Sequence, residues 1–181
     1  MPTINDANGT PAKVTDAGKL KVYGVVEPEE LHENEDNGTS FSVLVDVTSA
    51  TTDDDFFYLK NNSDDDLIIY KIEGWCDDAN QEIKVLIGAT DAGTDAGDAL
   101  TPRALNAGSG EVANVDCTQD ATDLAITGGN AVTLLKFPTT ALELASWDFS
   151  SGIILPKNTR LHMEAALAGL INLNIFFYFH S

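Results

Sequence analysis

The stretch I-N-L-N-I-F-F-Y-F, residues 171–179, decides the fold class of this chain. Its odd-numbered positions are all aliphatic or aromatic, and Asn172 and Asn174 fall between them, which is the two-residue period of a β-strand. Phe176 and Tyr178 add large rings to the second face. A shift of one residue would expose the whole apolar row, so we expect the register of this strand to be firmly set.

Shorter stretches with the same period, or with runs of β-branched and aromatic residues, predict further strands. They are residues 41–47, 56–60, 67–72, 82–87, 132–137, 152–155 and 159–165, with a short strand near Val115. Residues 139–147 fit neither the helical nor the strand period, and their structure is left open. About eight or nine strands separated by turns predict an all-β protein, an antiparallel two-sheet β-sandwich with the jelly roll as its expected topology.

Residues 159–165 alternate regularly between apolar and polar side chains, so one face of this strand is expected to meet the core. The apolar residues point inward and the polar residues point outward in this interpretation. The inward row is Leu161, Met163 and Ala165, and the outward row is Arg160, His162 and Glu164.

Composition divides the chain into two parts. Residues 1–38 are polar and rich in turns, and the acidic run at 27–38 has almost no apolar side chain. Such a segment buries too little apolar surface to fold alone, so we predict an extended N-terminal arm or anchor at 1–38 and a jelly-roll β-sandwich at 39–181. A first strand followed by a solvated loop is the alternative for the first part. Residues 88–110, rich in Gly, Ala, Asp and Thr, predict a long surface loop.

The formal net charge of -19 over 181 residues, with a pI near 4.1, disfavours several classes of partner. Phosphate contacts need Lys and Arg, so we expect neither nucleic acid nor an anionic membrane surface as a partner. The sequence opens without a basic n-region or an apolar h-region, and it has no apolar run of about 20 residues. We therefore expect synthesis in a host cytoplasm, without a signal peptide or a membrane span.

The two cysteines, Cys76 and Cys117, are too few for a disulfide framework. Neither belongs to a C-x-x-C motif, which gives a metal or redox function little support. We expect two reduced, half-buried thiols, with a single disulfide bond between them as the alternative.

Two runs of aspartate, residues 53–55 and 64–66, are the densest concentrations of charge. Ca²⁺ takes about six to eight oxygen ligands, so a weak calcium site between loops could draw on carboxylates from both runs. The spacing does not match an EF-hand loop, and we expect two solvated turns instead. The calcium candidates are Asp53, Asp55, Asp64 and Asp66. The sequence predicts no other metal or cofactor.

No constellation in the sequence predicts catalysis. His32, His162 and His180 are dispersed, and no H-E-x-x-H motif is present. Gly108-Ser109-Gly110 lacks the five-residue frame of a nucleophile elbow. With 29 acidic residues, a carboxylate pair at a glycosidase-like distance would carry no information. We therefore expect a protein that is not an enzyme and has no catalytic residues.

Large aromatic residues are candidates for packing or for binding. Trp75 and Trp147 could form a platform that stacks on sugar rings, although packing in a core or an interface is the favoured interpretation. The final strand has large residues on both faces, and only one face can meet its own core. Phe176, Tyr178 and Trp147 are therefore the candidates for contact between copies of the chain.

Three stretches carry a resemblance to a known group of proteins. They are A-K-V-T-D-A-G-K-L-K-V at residues 12–22, Y-L-K-N-N-S-D-D-D-L-I-I at 58–69 and G-I-I-L-P-K-N-T at 152–159. In this order the chain resembles small virion proteins of tailed, phage-like viruses, in which an extended N-terminal region precedes a jelly-roll domain. The resemblance implies a capsid decoration, turret or head-fibre component that is often trimeric and is anchored by its N-terminal region. It implies no catalytic residues.

The expected function is that of a non-enzymatic viral structural protein. We expect a homotrimer at the capsid surface of a virion, docked through its N-terminal region on the major capsid protein or another virion protein. The alternative is a carbohydrate- or receptor-binding β-sandwich module at a tail or fibre tip, using Trp75 or residues 88–110. An acidic glycosidase-like enzyme is a third, weaker hypothesis, which the missing motifs oppose.

Overall fold

A computed structural model describes residues 29–88, 97–122, 124, 126, 132–138 and 141–180, and at 132–138 it describes the backbone alone. Two helical turns come first, α1 (Glu29–His32) and a π-helical turn (Glu33–Asn37) that continues it. The remaining elements are strands. In chain order they are β1 (Ser40–Ser49), β2 (Asp54–Asn61), β3 (Asp66–Cys76), β4 (Glu82–Gly88), β5 (Asp98–Ala99), β6 (Arg103–Ala104), β7 (Val115–Gln119), β8 (Val132–Pro138), β9 (Ala145–Leu155), β10 (Arg160–Ala165) and β11 (Gly169–His180).

The described strands form two antiparallel sheets. The five-stranded sheet has the order β6-β1-β11-β3-β9, and the six-stranded sheet has the order β5-β7-β2-β10-β4-β8. Buried apolar side chains from both sheets belong to one cluster, so the sheets pack face to face with the core between them. The predicted all-β, antiparallel two-sheet β-sandwich is confirmed.

Strand β11 lies in the middle of the five-stranded sheet, between β1 and β3. Its Phe177 lies opposite Phe41 of β1, with ring centroids 5.6 Å apart, and Phe179 packs edge-on to Phe41 at 5.8 Å. The odd-numbered residues of 171–179 are all buried, which confirms the predicted inner face. Each fully buried side chain of this kind contributes about 1.5–3 kcal/mol to folding.

Strand β10 supplies part of the opposite half of the core, from the six-stranded sheet. Leu161, Met163 and Ala165 are fully buried in the core cluster, which confirms the predicted inward row. Arg160 and His162 lie on the other face of β10, as predicted, but they are only 1% and 3% exposed. The charged side chain of Arg160 is therefore shielded from solvent although it lies in the outward row. The alternation of apolar and polar residues in the sequence does not show this shielding.

Both cysteines are free thiols, and both are buried in the core cluster rather than half-buried. Cys76 is fully buried, and Cys117 is 5% exposed. Burial raises the pKa of Cys117 far above its usual value, because the thiolate would lose its hydration. The Cys117 thiol therefore stays protonated at neutral pH and packs as a small apolar side chain.

The helical residues 29–37 fall in the part of the chain predicted to be an extended arm, so the extended conformation is not found there. The Glu33 side chain is buried, and its carboxylate accepts hydrogen bonds from Asn37 Nδ2 at 2.7 Å and Thr39 Oγ1 at 2.8 Å. Asn106 Nδ2 donates to the Asn34 carbonyl at 3.0 Å. These contacts fix the segment to the sandwich, while residues 1–28 lie outside the described part of the chain.

Two other segments differ in detail from the prediction. The end of residues 139–147 belongs to a strand, since β9 begins at Ala145. The predicted loop at 88–110 contains the short strands β5 and β6, which pair with β7 and β1. Its residues 89–96 are not among those described. The short strand predicted near Val115 is confirmed as β7.

Gly74 of β3 is a position where the fold leaves no room for a side chain. It lies opposite Leu173 of β11, and a Cβ atom added there would stand 2.6 Å from Leu173 Cδ2 and 2.8 Å from Leu173 Cα, besides contacting the Asn172 carbonyl.

We expect Gly74→Ala to lower the free energy of unfolding by about 3 kcal/mol, because the backbone of the central strand would have to shift. Urea denaturation measures this loss. Gly108→Ala is the matched control, since its Cβ would meet only Asn106 Oδ1 at 3.5 Å. Equal stability of the two variants would contradict the prediction.

Candidate functional site

The outer face of the five-stranded sheet carries a cluster of aromatic rings. Tyr70 of β3 lies 6.2 Å from Phe176 and 6.0 Å from Tyr178 of β11, measured between ring centroids. The rings are tilted by 47° and 43°, so they form an angled wall rather than a flat platform. We call Tyr70, Phe176 and Tyr178 the aromatic cluster.

Two irregularities in strand pairing place Tyr70 in this cluster. Against β11, the register passes from Lys71 opposite Phe176 to Ile69 opposite Phe177, which leaves Tyr70 without a paired residue on that side. Against β9, the same two residues of β3 pair with Asp148 and Ile153, so Tyr70 alone faces residues 149–152. A β-bulge bends the strand and redirects the extra side chain, and here it turns Tyr70 toward the outer face.

The bulged part of β9 and the aromatic cluster enclose a cleft of about 630 Å³. Its described lining has five aromatic or aliphatic residues, four polar residues and one glycine. The residues are Ile68, Tyr70, Asp148, Phe149, Ser150, Ser151, Gly152, Ile154, Tyr178 and His180. Gly152 has a φ of +66°, a left-handed conformation that favours glycine, and its Cα faces Ile68 so closely that a Cβ would collide with the Ile68 side chain.

A lysine stands beside the aromatic cluster. Lys71 Nζ lies 5.5 Å from the ring centroid of Phe176 and 2.6 Å from a carboxylate oxygen of Glu73. The hydrogen bond that Lys71 donates to Glu73 raises the pKa of Lys71, and the charge of Asp148 acts in the same direction. The ammonium group of Lys71 is therefore held by the Glu73 carboxylate and the ring face of Phe176 on the outer surface of the sheet.

The predicted interface residues are divided between two faces of the sheet. Phe176 and Tyr178 lie on the outer face, where Phe176 is half-buried and Tyr178 is 5% exposed within a single chain. Trp147 pairs with the fully buried Ile72 and packs against the core cluster, so it lies on the inner side. Trp75 is half-buried on β3 opposite Asn172, toward the end of the sheet away from the cleft.

The structure does not bring the calcium candidates together. The two runs of aspartate lie at opposite ends of β2, which spans roughly 24 Å. Asp53 binds Lys84 at 2.9 Å, and Asp64 binds Lys157 at 2.5 Å. Asp55 lies 3.6 Å from His162, and Asp66 is exposed at the start of β3. Among the described residues, no group of three or more His, Cys, Asp or Glu side chains is placed to hold a metal ion.

The three histidines lie on three different elements, each in a different environment. His32 is exposed in α1, and His180 is exposed at the end of β11. His162 is buried, with its Nδ1 3.2 Å from Arg160 Nη1 and its Nε2 3.6 Å from Asp55 Oδ1. Because a guanidinium group can only donate, Nδ1 accepts this hydrogen bond and the ring proton resides on Nε2.

Comparison with known proteins adds no family to this description. No protein-family model matches the chain, and a search of curated proteins finds no relative of it. In the part of the chain that the structure describes, no helix has the length and apolar character needed to cross a bilayer. The sequence and the geometry of the sheet faces are therefore the basis for a functional proposal.

The buried His162 makes stability depend on pH. Burial, followed by the charge of Arg160, lowers the pKa of His162 to about 4, from about 6.5 for a solvated histidine. The unfolded chain therefore binds a proton as the pH falls through about 6.5, whereas the folded chain does not until about pH 4, so stability is lost across this window. The titratable and charged groups that face the imidazole are Arg160 on β10 itself and Asp55 and Tyr58 on β2.

Between pH 7 and pH 5, we expect the wild type to lose about 1–2 kcal/mol more stability than His162→Gln, which cannot bind this proton. Urea denaturation at both pH values measures the difference. The exposed His32→Gln variant is the control and should retain the wild-type dependence. The same dependence in His162→Gln and in the wild type would exclude His162 as its source.

Proposed function

We propose that this chain is a non-enzymatic structural subunit of a virion, of the capsid decoration, turret or head-fibre type, and that it assembles as a homotrimer. The observation that carries the proposal is the outer face of the five-stranded sheet, which bears apolar side chains although its inner face already fills the core. Exposed apolar surface on a β-sandwich marks a site of protein association. The resemblance of residues 12–22, 58–69 and 152–159 to small virion proteins of tailed viruses supports the type of assembly.

The order of the strands supports the jelly-roll topology that such subunits share. Strands β1, β3, β9 and β11 lie in the five-stranded sheet, and β2, β4, β8 and β10 lie in the six-stranded sheet. The first and last of these eight strands are neighbours, and the chain changes sheets at each step except between β4 and β8. Two Greek keys in a jelly roll give eight strands that are divided between two sheets, so this strand order supports the proposed topology. Strands β5, β6 and β7 are then an insertion between β4 and β8.

Contact between copies is expected on the β1 side of the outer face. Leu44 of β1 is 53% exposed and lies opposite Asn174 of β11, next to the position of Phe176. Strand β6 covers only Phe41 and Ser42, so most of β1 is an edge strand. An aliphatic side chain on an edge strand favours association, and the net charge of -19 keeps the assembled subunits from aggregating further.

The proposal predicts a particle with three times the mass of the 19.3 kDa chain, measured by light scattering at micromolar concentration. Leu44→Asp should dissociate it, because three added carboxylates would be brought into the contact. Val112→Asp is the matched control, since Val112 is 78% exposed in a loop and the variant should remain trimeric. A monomeric wild type, or a Leu44→Asp variant that stays trimeric, would refute the proposed contact.

If the chain docks through its N-terminal region, removal of that region should abolish binding to the particle. Particles of the parent virus that have been stripped of this protein should bind the full chain but not a chain that begins at residue 29. The shorter chain keeps the helical residues 29–37, which pack on the sandwich through Glu33 and Asn34, so its fold should be retained. Co-sedimentation measures binding, and circular dichroism checks the fold. Equal binding by both chains would assign docking to the sandwich instead.

A further inference from the structure

We infer that the cleft between the bulge of β9 and the aromatic cluster is a binding site for a neutral oligosaccharide. This goes beyond the proposed structural role and does not depend on it. The cleft lies at the β9 edge of the outer face, whereas Leu44 lies on β1, at the other side of the sheet. Assembly and ligand binding would therefore use different parts of one sheet face.

The form of the cleft fits a ligand of a few sugar rings. Its volume of about 630 Å³ lies within the range of about 300–1,000 Å³ that is usual for small-molecule sites. The wall is built from strands rather than from a free loop: Ile68 and Tyr70 come from β3, Tyr178 from β11, and residues 148–152 from the bulge of β9. The left-handed backbone at Gly152 brings the bulge of β9 against Ile68 of β3, and both residues line the cleft.

The chemistry of the lining matches the two kinds of surface that a pyranose ring presents. Tyr70 and the aliphatic Ile154, which is 52% exposed, offer apolar surface to the C–H face of a ring. Ser150 and Ser151 also line the cleft, and both residues are exposed. Together with a carboxylate and tyrosine hydroxyls, they can donate to and accept from sugar hydroxyl groups. Apolar walls with a few polar groups are the usual composition of a site for a small ligand.

Charge selects a neutral ligand over a charged one. The described lining includes Asp148 but no Lys or Arg, which opposes an anionic ligand such as a phosphate or a carboxylate. Asp148 lies opposite Lys71 in the β3–β9 register, and the positive charge of Lys71, which Glu73 shares, offsets part of the negative charge that would attract a cation. The Asp148 carboxylate is then left to accept hydrogen bonds from neutral hydroxyl groups.

The test uses the full chain and four trisaccharides: maltotriose, cellotriose, mannotriose and triacetylchitotriose. Saturation-transfer NMR detects binding, and titration calorimetry measures the affinity of any sugar that binds. We expect saturable binding of at least one sugar. Ser151→Trp should abolish it, because Ser151 is exposed and lines the cleft, so that an indole group there would occupy the space of the sugar. Tyr70→Ala should weaken binding by roughly tenfold.

Controls separate a site from a folding defect. Val112 is far from the cleft residues in the sequence and is highly exposed, so Val112→Ala should bind the sugars as the wild type does. Circular dichroism checks that each variant is folded, and Ser151→Trp remains informative if Tyr70→Ala does not fold. Choline is titrated as a cationic probe. The inference is overturned if none of the four sugars binds, if binding survives in Ser151→Trp, or if choline binds in the cleft and the sugars do not. Light scattering on the same samples reports assembly separately.

Discussion

The structure depends on one strand, β11, which carries large apolar side chains on both of its faces. Its position between β1 and β3 sends Ile175 and Phe177 into the core between the sheets, where the ring of Phe177 stacks on Phe41. The same pleat sends Phe176 and Tyr178 to the outer face. Since the register that buries the first row fixes the second row, the core and the outer surface are determined together.

The bulges beside β11 turn a regular sheet into a surface with a cleft. A regular pairing of β3 would have left Tyr70 in line with its neighbours, and the four residues at 149–152 would have needed four partners. Instead, the extra residues of β9, 149–152, lie beside Tyr70, and a cleft that Ile68 also lines is left next to them. Bulges interrupt the hydrogen-bond ladder, and the long regular pairing of β1 with β11 offsets that loss within the same sheet.

Several lysines of the described residues are paired with carboxylates. Lys84 contacts both Asp53 and Glu164, and these hydrogen bonds raise the pKa of Lys84 strongly. Lys157 lowers the pKa of Asp64 by a hydrogen bond at the other end of β2. These pairs bridge neighbouring turns and strands of an acidic surface, where like charges would otherwise repel one another. The exposed Lys157–Asp64 pair adds little stability, so it balances charge locally rather than holding the fold.

The sequence by itself determined the strand class, the inner faces of β1, β10 and β11, and the acidic surface. A two-residue period is a local property that survives in any β-sandwich. Only the tertiary structure decided that Tyr70 leaves the regular pairing, that Trp147 faces the core rather than the side of Phe176, and that His162 is buried. The positions of Tyr70 and Trp147 depend on how the residues of one strand pair with those of its neighbour. The burial of His162 depends on which side chains cover the outer face of its sheet. Side-chain alternation within one strand contains no information about either, so the cleft exists only once β3, β9 and β11 are side by side.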